Sequence, residues 1–459
     1  MMIINDQQIR DCLAAAKEAT DEQVLGILAK ARAAKGLSLA EAAVLLHVTD
    51  PVLLASLYAT AQEVKERIYG KRVVLFAPLY LSNECTNNCL YCGFRRDNKE
   101  LERRTLTLDE LREQVLILEA MGHKRLLLES GEDLSKVPID YVVQAIKTIY
   151  ATKSEHDAIR RVNVNVAATT VENYRALHAA GIGTYQLFQE TYHRPTYEIM
   201  HPSGAKKSYE YHLTAMDRAM QGGIDDIGLG VLFGLYDYRY EVLALLQHAA
   251  YLEATYGVGP HTISAPRLRL NGNEPMPAVP LVSDEEFLHL VAVLRLAVPY
   301  TGIIMSTRES AAQRDRLLDI GISQMSAASA TSPGGYKADD SQDASQQFAT
   351  QDHRSLLEIV RTIGHKGYLP SFCTACYRSG RTGERFMGYA KDGEIQSFCQ
   401  PNAILTVAEY LADHGNEATQ QEFAPLIEQW LAKISDPAMR SLTQKGLRDL
   451  ASGKRDIYL

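Results

Sequence analysis

Short apolar segments that predict buried strands alternate with segments of helical periodicity through the middle of this 459-residue chain. The strand candidates are residues 73–76, 125–129, 162–166, 184–188, 227–231, 262–265, 302–305 and 322–327. Repeated strand–helix units predict a parallel sheet, and eight such units predict closure into a (β/α)8 barrel, an α/β fold of the TIM type. A partly open barrel is the alternative, because a count of this kind can be wrong by one unit.

Helical patterns flank the predicted barrel on both sides. Apolar residues at helical spacing run through residues 1–70, which predicts an N-terminal helical extension. The barrel is then expected over residues 71–370, and residues 371–459 are expected to form a separate, helical C-terminal domain. Residues 329–347, rich in Ser, Ala, Gly and Asp, predict a long loop that leads towards this C-terminal domain.

Charge and cysteine content indicate which binding partners and which cellular compartment to expect. The 48 Lys and Arg residues against 56 Asp and Glu residues give a formal charge of −8 without a basic block. Neither nucleic acid nor a membrane surface is therefore an expected partner. No apolar run approaches the ~18 residues of a membrane span, and the first residues, MMIINDQQIR, do not resemble a signal peptide. Six of the seven cysteines form two groups, which is typical of metal ligation in a reducing compartment, so a cytoplasmic protein is expected.

The first cysteine group follows the first strand candidate, in the segment LSNECTNNCLYCGFRR at residues 81–96. Cys85, Cys89 and Cys92 have the spacing C-x3-C-x2-C in a polar loop, so three thiolates can converge on one centre. A four-iron cluster usually has four cysteine ligands, so a three-cysteine site leaves one iron open for a substrate or cofactor. A zinc knuckle or a set of unrelated buried cysteines is the alternative.

With Tyr91 as the aromatic residue, this C-x3-C-x-aromatic-C loop resembles the signature of radical S-adenosylmethionine (SAM) enzymes. The resemblance implies that a 4Fe-4S cluster binds SAM through its open iron and, when reduced, cleaves SAM to a 5′-deoxyadenosyl radical. SAM contacts are then expected near this loop and at the ends of the following strands, where the βα loops of a barrel meet. The candidate SAM contacts are Tyr91, Ser130, Gly131, Glu132, Asn165, Gln189 and Glu190. Ordinary turn chemistry explains the Ser130–Gly131 turn almost as well.

The seventh strand candidate ends in a polar segment that suits an amino-acid substrate. The planar guanidinium of Arg308 can bind a carboxylate through two hydrogen bonds, and the hydroxyls of Ser306 and Thr307 stand beside it. These three residues are the candidates for substrate binding, with Arg308 as the first choice for the carboxylate. A surface arginine paired with Glu309 is the alternative.

The second cysteine group lies beyond the last barrel unit. Cys373 and Cys376 form a C-x2-C pair, and Cys399 follows after a gap of 22 residues. By itself this pattern fits structural zinc and an iron–sulfur cluster about equally. No fourth cysteine follows, and His365 lies outside the usual close ligand spacing, so a closed site is hard to assemble. A second open cluster is the better interpretation.

Residues 80–132, the segment GPHTIS at residues 259–264, and residues 369–405 resemble the radical SAM tyrosine lyases that mature the active-site cluster of [FeFe]-hydrogenase. The resemblance implies that L-tyrosine is cleaved to p-cresol and dehydroglycine, and that an auxiliary cluster on Cys373, Cys376 and Cys399 forms carbon monoxide and cyanide. This cluster is expected to carry an extra iron, a 5Fe type, held by His261 and a free L-cysteine. The product is expected to be an Fe(CO)2(CN) unit for H-cluster assembly.

The same resemblance implies several protein partners. They are an electron donor such as ferredoxin or flavodoxin, a hydrogenase assembly scaffold and other maturases. Two other functions stay open at this point. One is a thiamine-pathway tyrosine lyase that stops at dehydroglycine, and the other is a non-enzymatic iron–sulfur carrier or redox sensor.

His261 adds an expectation about placement. It directly precedes the sixth strand candidate, so its imidazole should lie at the N-terminal end of the strands, opposite the SAM loops. If the C-terminal domain covers that end, the two clusters face each other through the barrel, and a polar internal channel is predicted in place of a filled core. A structural histidine with a satisfied hydrogen bond is the alternative for His261.

Overall fold

A computed structural model describes residues 2–154, 158–270, 275–337 and 345–459. Within those residues one sheet has nine strands, and every neighbouring pair runs parallel. Strands β2 to β8 follow one another in order, and β1 pairs with both β8 and β2, so eight strands close a ring. The predicted (β/α)8 barrel is therefore confirmed. Its strands are β1 at Arg72–Ser82, β2 at Arg125–Ser130, β3 at Arg161–Asn165, β4 at Tyr185–Glu190, β5 at Ile227–Val231, β6 at Thr262–Ser264, β7 at Gly302–Met305 and β8 at Gln324–Ser326.

Strand β1 is longer than the predicted segment of residues 73–76 and runs on to Ser82. The prediction ended early because Pro78 has no N–H to donate, and a proline usually argues against a central strand. The strand continues because every residue after Arg72 is buried, and Tyr336 donates a hydrogen bond of 2.6 Å to the Pro78 carbonyl. This extension carries the chain to the C-terminal mouth of the barrel, directly before the first cysteine loop.

A ninth strand, β9 at Leu369–Ser371, was not predicted. It pairs with the first residues of β1, where Arg72 lies opposite Leu369 and Val74 lies opposite Ser371. Three residues with a central proline give too short a pattern to be recognised in the sequence. The strand crosses the expected boundary at residues 370 and 371, and it brings the second cysteine group to the N-terminal mouth of the barrel.

Helices connect every pair of consecutive barrel strands, as the alternating pattern predicts. Residues 209–221 form two short helices that meet at Thr214. A capping box of Thr107 and Glu110 begins α5. The helices are α5 at Leu108–Met121, α6 at Ile139–Ala151, α7 at Val171–Ala179, α8 at Arg194–Met200, a 3-10 turn at Ala205–Lys207, α9 at Tyr209–Leu213, α10 at Ala215–Gln221, α11 at Tyr238–Tyr256, α12 at Asp284–Ala297, α13 at Ala311–Leu318 and α14 at Leu356–His365.

Helices also form both flanking regions. The N-terminal helices are α1 at Asp6–Ala16, α2 at Asp21–Ala31, α3 at Leu39–Leu46 and α4 at Pro51–Tyr69. The C-terminal helices are α15 at Ala375–Arg378, α16 at Gly383–Asp392, α17 at Ile395–His414, α18 at Glu417–Ala432 and α19 at Pro437–Ala451. Helix α17 packs against β9 and α19, and α4 packs against α12. Of the predicted loop at residues 329–347, residues 338–344 lie outside the described residues.

The middle of the barrel contains an apolar layer of Phe76, Leu127 and Ile304. Below it, towards the N-terminal mouth, Gln186 donates a hydrogen bond of 3.4 Å to Thr262, and the Gln186 amide oxygen has no hydrogen-bond partner among the described residues. Gly228 lies beside this pair, and a Cβ atom there would come within 2.5 Å of the Thr262 hydroxyl. The barrel interior is thus apolar at mid-height and polar towards the N-terminal mouth.

No helix in the described part of the chain combines the length and the apolar composition needed to cross a bilayer.

Candidate functional site

A large cavity, which we call the upper cavity, opens at the C-terminal mouth of the barrel. It encloses about 1350 Å³ of empty space, a volume that includes its open mouth. Most of the side chains that the sequence singles out for SAM and substrate line it together. They are Cys85, Cys89, Cys92, Tyr91, Ser130, Gly131, Glu132, Asn165, Glu190, Ser306, Thr307 and Arg308. Gln189 is the exception: it is buried but does not line the cavity.

Backbone hydrogen bonds hold the first cysteine loop over this cavity. The Thr86 N–H donates to the Glu132 carbonyl at 2.8 Å, and the Gly93 N–H donates to the Gln347 carbonyl at 3.0 Å. At two positions the backbone of a neighbouring segment comes so close that only glycine fits. A Cβ atom on Gly131 would come within 2.2 Å of the Glu84 carbonyl oxygen, and one on Gly93 within 2.3 Å of the Gln346 carbonyl oxygen. The loop therefore packs tightly against the β2 turn and against the last residues of the predicted long loop.

The three thiols of this loop are free and turned towards the cavity. Burial raises the pKa of Cys89 and raises that of Cys92 to about 11. A metal centre binds the deprotonated thiolate. The positive charge of the metal stabilises the thiolate, which the buried surroundings otherwise disfavour. Three converging thiols with a polar cavity beyond them fit an iron–sulfur cluster that keeps one iron open to a ligand. Among the described residues no three His, Cys, Asp or Glu side chains are already grouped around a single-ion site.

The candidate SAM contacts form a connected polar wall. Tyr91 shares a hydrogen bond of 2.8 Å with His201, and Asn87 donates a short hydrogen bond to Glu132. Glu190 accepts a hydrogen bond of 2.7 Å from the Lys206 ammonium. Glu190 also has a φ of 68°, in the left-handed region that costs a non-glycine residue free energy and is found mostly at functional sites.

Arg308 lies inside the upper cavity, with its guanidinium carbon 3.5 Å from the centre of the Phe348 ring. The alternative pairing with Glu309 is wrong, because Glu309 is buried between Arg267 and Arg269 and accepts hydrogen bonds from both. No carboxylate among the described residues forms an ion pair with Arg308, while burial lowers its pKa. A guanidinium that lines the cavity without an ion pair, next to the hydroxyls of Ser306 and Thr307, can bind the carboxylate of a ligand.

Two charged residues of the upper cavity were missed in the sequence. Glu129, at the end of β2, is partly buried, and this desolvation raises its pKa to about 8, although Asn165 and Arg308 nearby oppose the rise. The sequence did contain a signal for Glu129, because a carboxylate that ends an apolar barrel strand lies at the mouth where catalytic residues gather. Lys206 belongs to no motif and enters the cavity only through the fold, where Glu190 and Cys89 hold its pKa above the usual range.

The second cysteine group lies at the opposite mouth. Arg125, at the start of β2, donates a hydrogen bond of 2.8 Å to the carbonyl of Cys373, which follows β9. The thiol of Cys399, on α17, donates a hydrogen bond to the Cys376 sulfur. This hydrogen bond and the nearby charge of Arg381 both lower the pKa of Cys376. The segment after β9, helix α15 and helix α17 therefore bring three thiols together at the N-terminal mouth of the barrel. This donor set fits a second cluster with an incomplete set of protein ligands.

His261 lies at the same N-terminal mouth of the barrel. Its ring stacks on Phe386 of α16, with ring centres 4.1 Å apart, and Tyr377 beside Cys376 lies 6.2 Å away. The imidazole is thus sandwiched between the barrel and the helices that carry the second cysteine group. Burial lowers its pKa, so the neutral form that can bind a metal is favoured.

Comparisons with known proteins agree with this arrangement. Residues 79–249 match the Radical SAM superfamily and residues 264–369 match the Biotin and Thiamin Synthesis associated domain. The chain is 33% identical to the 2-iminoacetate synthase of Salmonella typhimurium over 313 residues, which span 68% of this chain and 80% of the relative. It is 27% identical to the [FeFe] hydrogenase maturase subunit HydE of Thermotoga maritima over 57% of this chain and 71% of that one.

Two solved structures are similar over nearly the whole chain. The crystal structure of HydG, a maturase of the [FeFe]-hydrogenase, has a TM-score of 0.96 and 55% sequence identity, and each chain covers 100% of the other. HydG from Carboxydothermus hydrogenoformans has a TM-score of 0.85 and 40% identity, over 96% of this chain and 97% of that one. The radical SAM match implies a 4Fe-4S cluster and SAM as cofactors, and a second cluster fits the C-terminal cysteines. The chain is therefore a radical SAM enzyme and belongs to the HydG family of [FeFe]-hydrogenase maturases.

Proposed function

We propose that this enzyme is an L-tyrosine lyase that cleaves the Cα–Cβ bond to give p-cresol and dehydroglycine. We further propose that it forms carbon monoxide and cyanide at the C-terminal cysteines and supplies an Fe(CO)2(CN) unit for H-cluster assembly. The observation that carries this proposal is the presence of two three-cysteine sites at opposite mouths of one barrel. A lyase that stopped at dehydroglycine would need only the upper one.

The upper cavity supports an amino-acid substrate next to SAM. The candidate SAM contacts and Arg308 line the same cavity, and the Arg308 guanidinium forms no ion pair with a carboxylate of the described residues. Arg308 would bind the tyrosine carboxylate, with Ser306 and Thr307 as further hydrogen-bond donors. Glu129 stands in the same cavity and would accept a hydrogen bond from the substrate amino group.

The residues near the first cysteine loop would hold and orient SAM. When bound, a reduced four-iron cluster supplies the electron that cleaves SAM to a 5′-deoxyadenosyl radical. Glu132, Asn165 and Glu190 offer oxygen acceptors for the amino and ribose groups, and Lys206 offers a buried positive charge near the SAM carboxylate. Tyr91, fixed by its hydrogen bond to His201, closes the wall behind the cysteine loop and helps to exclude water.

The lower site would complete the reaction. Cys373, Cys376 and Cys399 would hold a 4Fe-4S cluster, and His261 with a free L-cysteine would hold an extra iron, giving a centre of the 5Fe type. The two-carbon fragment would travel through the barrel, past the apolar layer and then past Gln186 and Thr262. An electron donor such as ferredoxin or flavodoxin, a hydrogenase assembly scaffold and the other maturases are the proposed partners.

Selective loss of the second cysteine group tests whether the two cysteine groups are needed for different steps of the reaction. In a Cys373→Ala/Cys376→Ala variant, we expect p-cresol formation from tyrosine and SAM to stay within about twofold of wild type. Carbon monoxide, trapped on a haem protein under anaerobic conditions, should fall at least tenfold. The physical reason is that radical formation depends on the upper thiols, while the lower cluster loses two of its three protein ligands.

Cys12→Ala is the matched control, because Cys12 lies alone in α1, away from both groups, and should change neither product. Cys89→Ala should abolish both products. Equal loss of p-cresol and carbon monoxide in the double variant would contradict the two-site proposal. Wild-type protein that makes p-cresol but no carbon monoxide would favour the thiamine-pathway lyase, and protein unable to cleave SAM would favour an iron–sulfur carrier.

A further inference from the structure

Asp226 is a buried carboxylate with no evident structural partner. It directly precedes β5, is only 1% exposed, and no donor among the described residues forms a hydrogen bond with either carboxylate oxygen. A buried carboxylate without a hydrogen bond is costly, so its position calls for a reason. The Arg161 guanidinium, which interacts electrostatically with Asp226, stacks 3.6 Å from the centre of the Tyr377 ring.

The atom that faces this carboxylate is Nδ1 of His261, 3.4 Å from Asp226 Oδ2. Nδ1 is itself buried and has no other hydrogen-bond partner in the described part of the chain. The separation is slightly longer than the roughly 2.7–3.2 Å of a formed N–H···O bond, so a small rotation of either side chain closes it. Two buried groups, each without another partner, therefore stand face to face.

The sheet fixes this pair from both sides. The His261 N–H donates to the Ile227 carbonyl at 2.8 Å, and the Tyr185 N–H donates to the Asp226 carbonyl at 3.0 Å. Asp226 and His261 thus occupy the starts of two neighbouring strands, and their separation is set by backbone pairing rather than by a mobile loop. The stacking of the His261 ring on Phe386 restricts rotation of the imidazole as well.

We propose that Asp226 is a positioning residue that accepts the Nδ1–H of His261 and thereby presents Nε2 as the metal-binding nitrogen. Histidines that bind metals commonly donate their other ring N–H to a carboxylate, which fixes the tautomer and raises the basicity of the ligand nitrogen. Asp226 would not touch iron, and its charge would also partly balance the cation. This inference rests on the proposed extra iron at His261 and assigns the group that prepares that ligand.

The test compares Asp226→Ala and Asp226→Asn with wild type after anaerobic reconstitution. We expect Asp226→Ala to bind the extra Fe²⁺ about 10- to 100-fold more weakly, the range found when such supporting carboxylates are removed. Iron per chain after a timed exposure to a chelator measures this loss, and the electron paramagnetic resonance signal of the extra iron reports the changed ligand field. Asp226→Asn, which keeps an oxygen acceptor, should lose less iron than Asp226→Ala.

Asp225→Asn is the matched control, because this exposed neighbour accepts a hydrogen bond of 3.0 Å from Thr382 and does not face His261. Formation of p-cresol should stay unchanged in all three variants, which shows that the barrel is intact. Wild-type affinity for Fe²⁺ in Asp226→Ala, or equal loss in Asp225→Asn, would overturn this inference alone. Wild-type protein that never takes up the extra iron would overturn the proposed function and the inference together.

Discussion

At the scale of single residues, existing ion pairs decide which charged side chains can act on a ligand. Arg267 follows β6 and is saturated by Glu309 and Asp284. Arg308 follows β7, forms no ion pair with a carboxylate of the described residues, and stacks on the Phe348 ring. A guanidinium that already has two carboxylates has no capacity for a ligand, whereas one without an anion retains it. This difference in partners singles out Arg308.

Arg308 gives the prediction at this scale. In Arg308→Lys we expect the KM for tyrosine to rise about tenfold, because Lys keeps the charge but loses the planar pair of donors. In Arg308→Gln we expect about a hundredfold rise, in line with the roughly 1.5–3 kcal/mol of hydrogen bonds to a charged group. The measurement is the rate of p-cresol formation as a function of tyrosine concentration.

Arg316→Lys is the matched control, because Arg316 lies on the exposed side of α13 and pairs with Glu285. Its KM should equal that of wild type. Unchanged tyrosine affinity in Arg308→Gln would remove Arg308 from the substrate site, while equal loss of SAM cleavage without tyrosine would indicate a general defect of the cavity.

At the scale of elements, short backbone junctions decide how the barrel meets the C-terminal helices. Helix α5 ends at Gly122, which has a φ of 99° and lies against Tyr410 and His414 of α17. A Cβ atom at Gly122 would come within 2.4 Å of the Tyr410 ring. The same residue therefore ends a barrel helix and makes room for the helix that carries Cys399.

We expect Gly122→Ala to lower the free energy of unfolding by roughly 2–5 kcal/mol, because a left-handed alanine costs about 1–2 kcal/mol and overpacking adds about 1–3 kcal/mol. Gly181→Ala is the control, since Gly181 also has a positive φ, 79°, but an added Cβ atom meets nothing within 4 Å. It should lose only the backbone contribution. Thermal unfolding of both variants measures the difference, and equal destabilisation would show that Tyr410 moves aside freely.

At the scale of the whole molecule, a buried ion pair joins the C-terminal helices to the barrel. Glu409 of α17 is 1% exposed and accepts hydrogen bonds from Arg160, just before β3, and from the backbone N–H of Asp456. Asp456 also pairs with Arg160 at 3.0 Å. Because α17 carries Cys399, this contact helps to hold the second cysteine group against the N-terminal mouth of the barrel.

We expect Glu409→Ala to destabilise the protein by about 3 kcal/mol, because it leaves a buried arginine without its main partner. The auxiliary site should also lose iron faster to a chelator, since its support is weaker. Glu422→Ala is the control: Glu422 pairs with the exposed Arg361, and such surface pairs contribute about 0–1 kcal/mol. Equal melting temperatures for the two variants would contradict this assignment.

Much of the fold could be predicted from the sequence, because periodic burial repeats itself eight times along the barrel. The strands β5 and β7 match the predicted segments residue for residue. The strand β9 could not be predicted, because three residues carry too little pattern and their pairing with β1 depends on a contact almost 300 residues away in sequence. The polar internal channel stays a prediction, and the sequence analysis did not anticipate the apolar layer of Phe76, Leu127 and Ile304 inside the barrel.

The sequence alone determined that six cysteines fall into two groups of three and that the chain alternates between strands and helices, because spacing and periodicity are local properties. Only the tertiary structure decided which polar residues share a cavity. Glu129 and Lys206 meet the first cysteine loop, and Asp226 meets His261, through closure of the barrel and the pairing of neighbouring strands. Such contacts depend on register between distant segments, and no local pattern in the chain encodes that register.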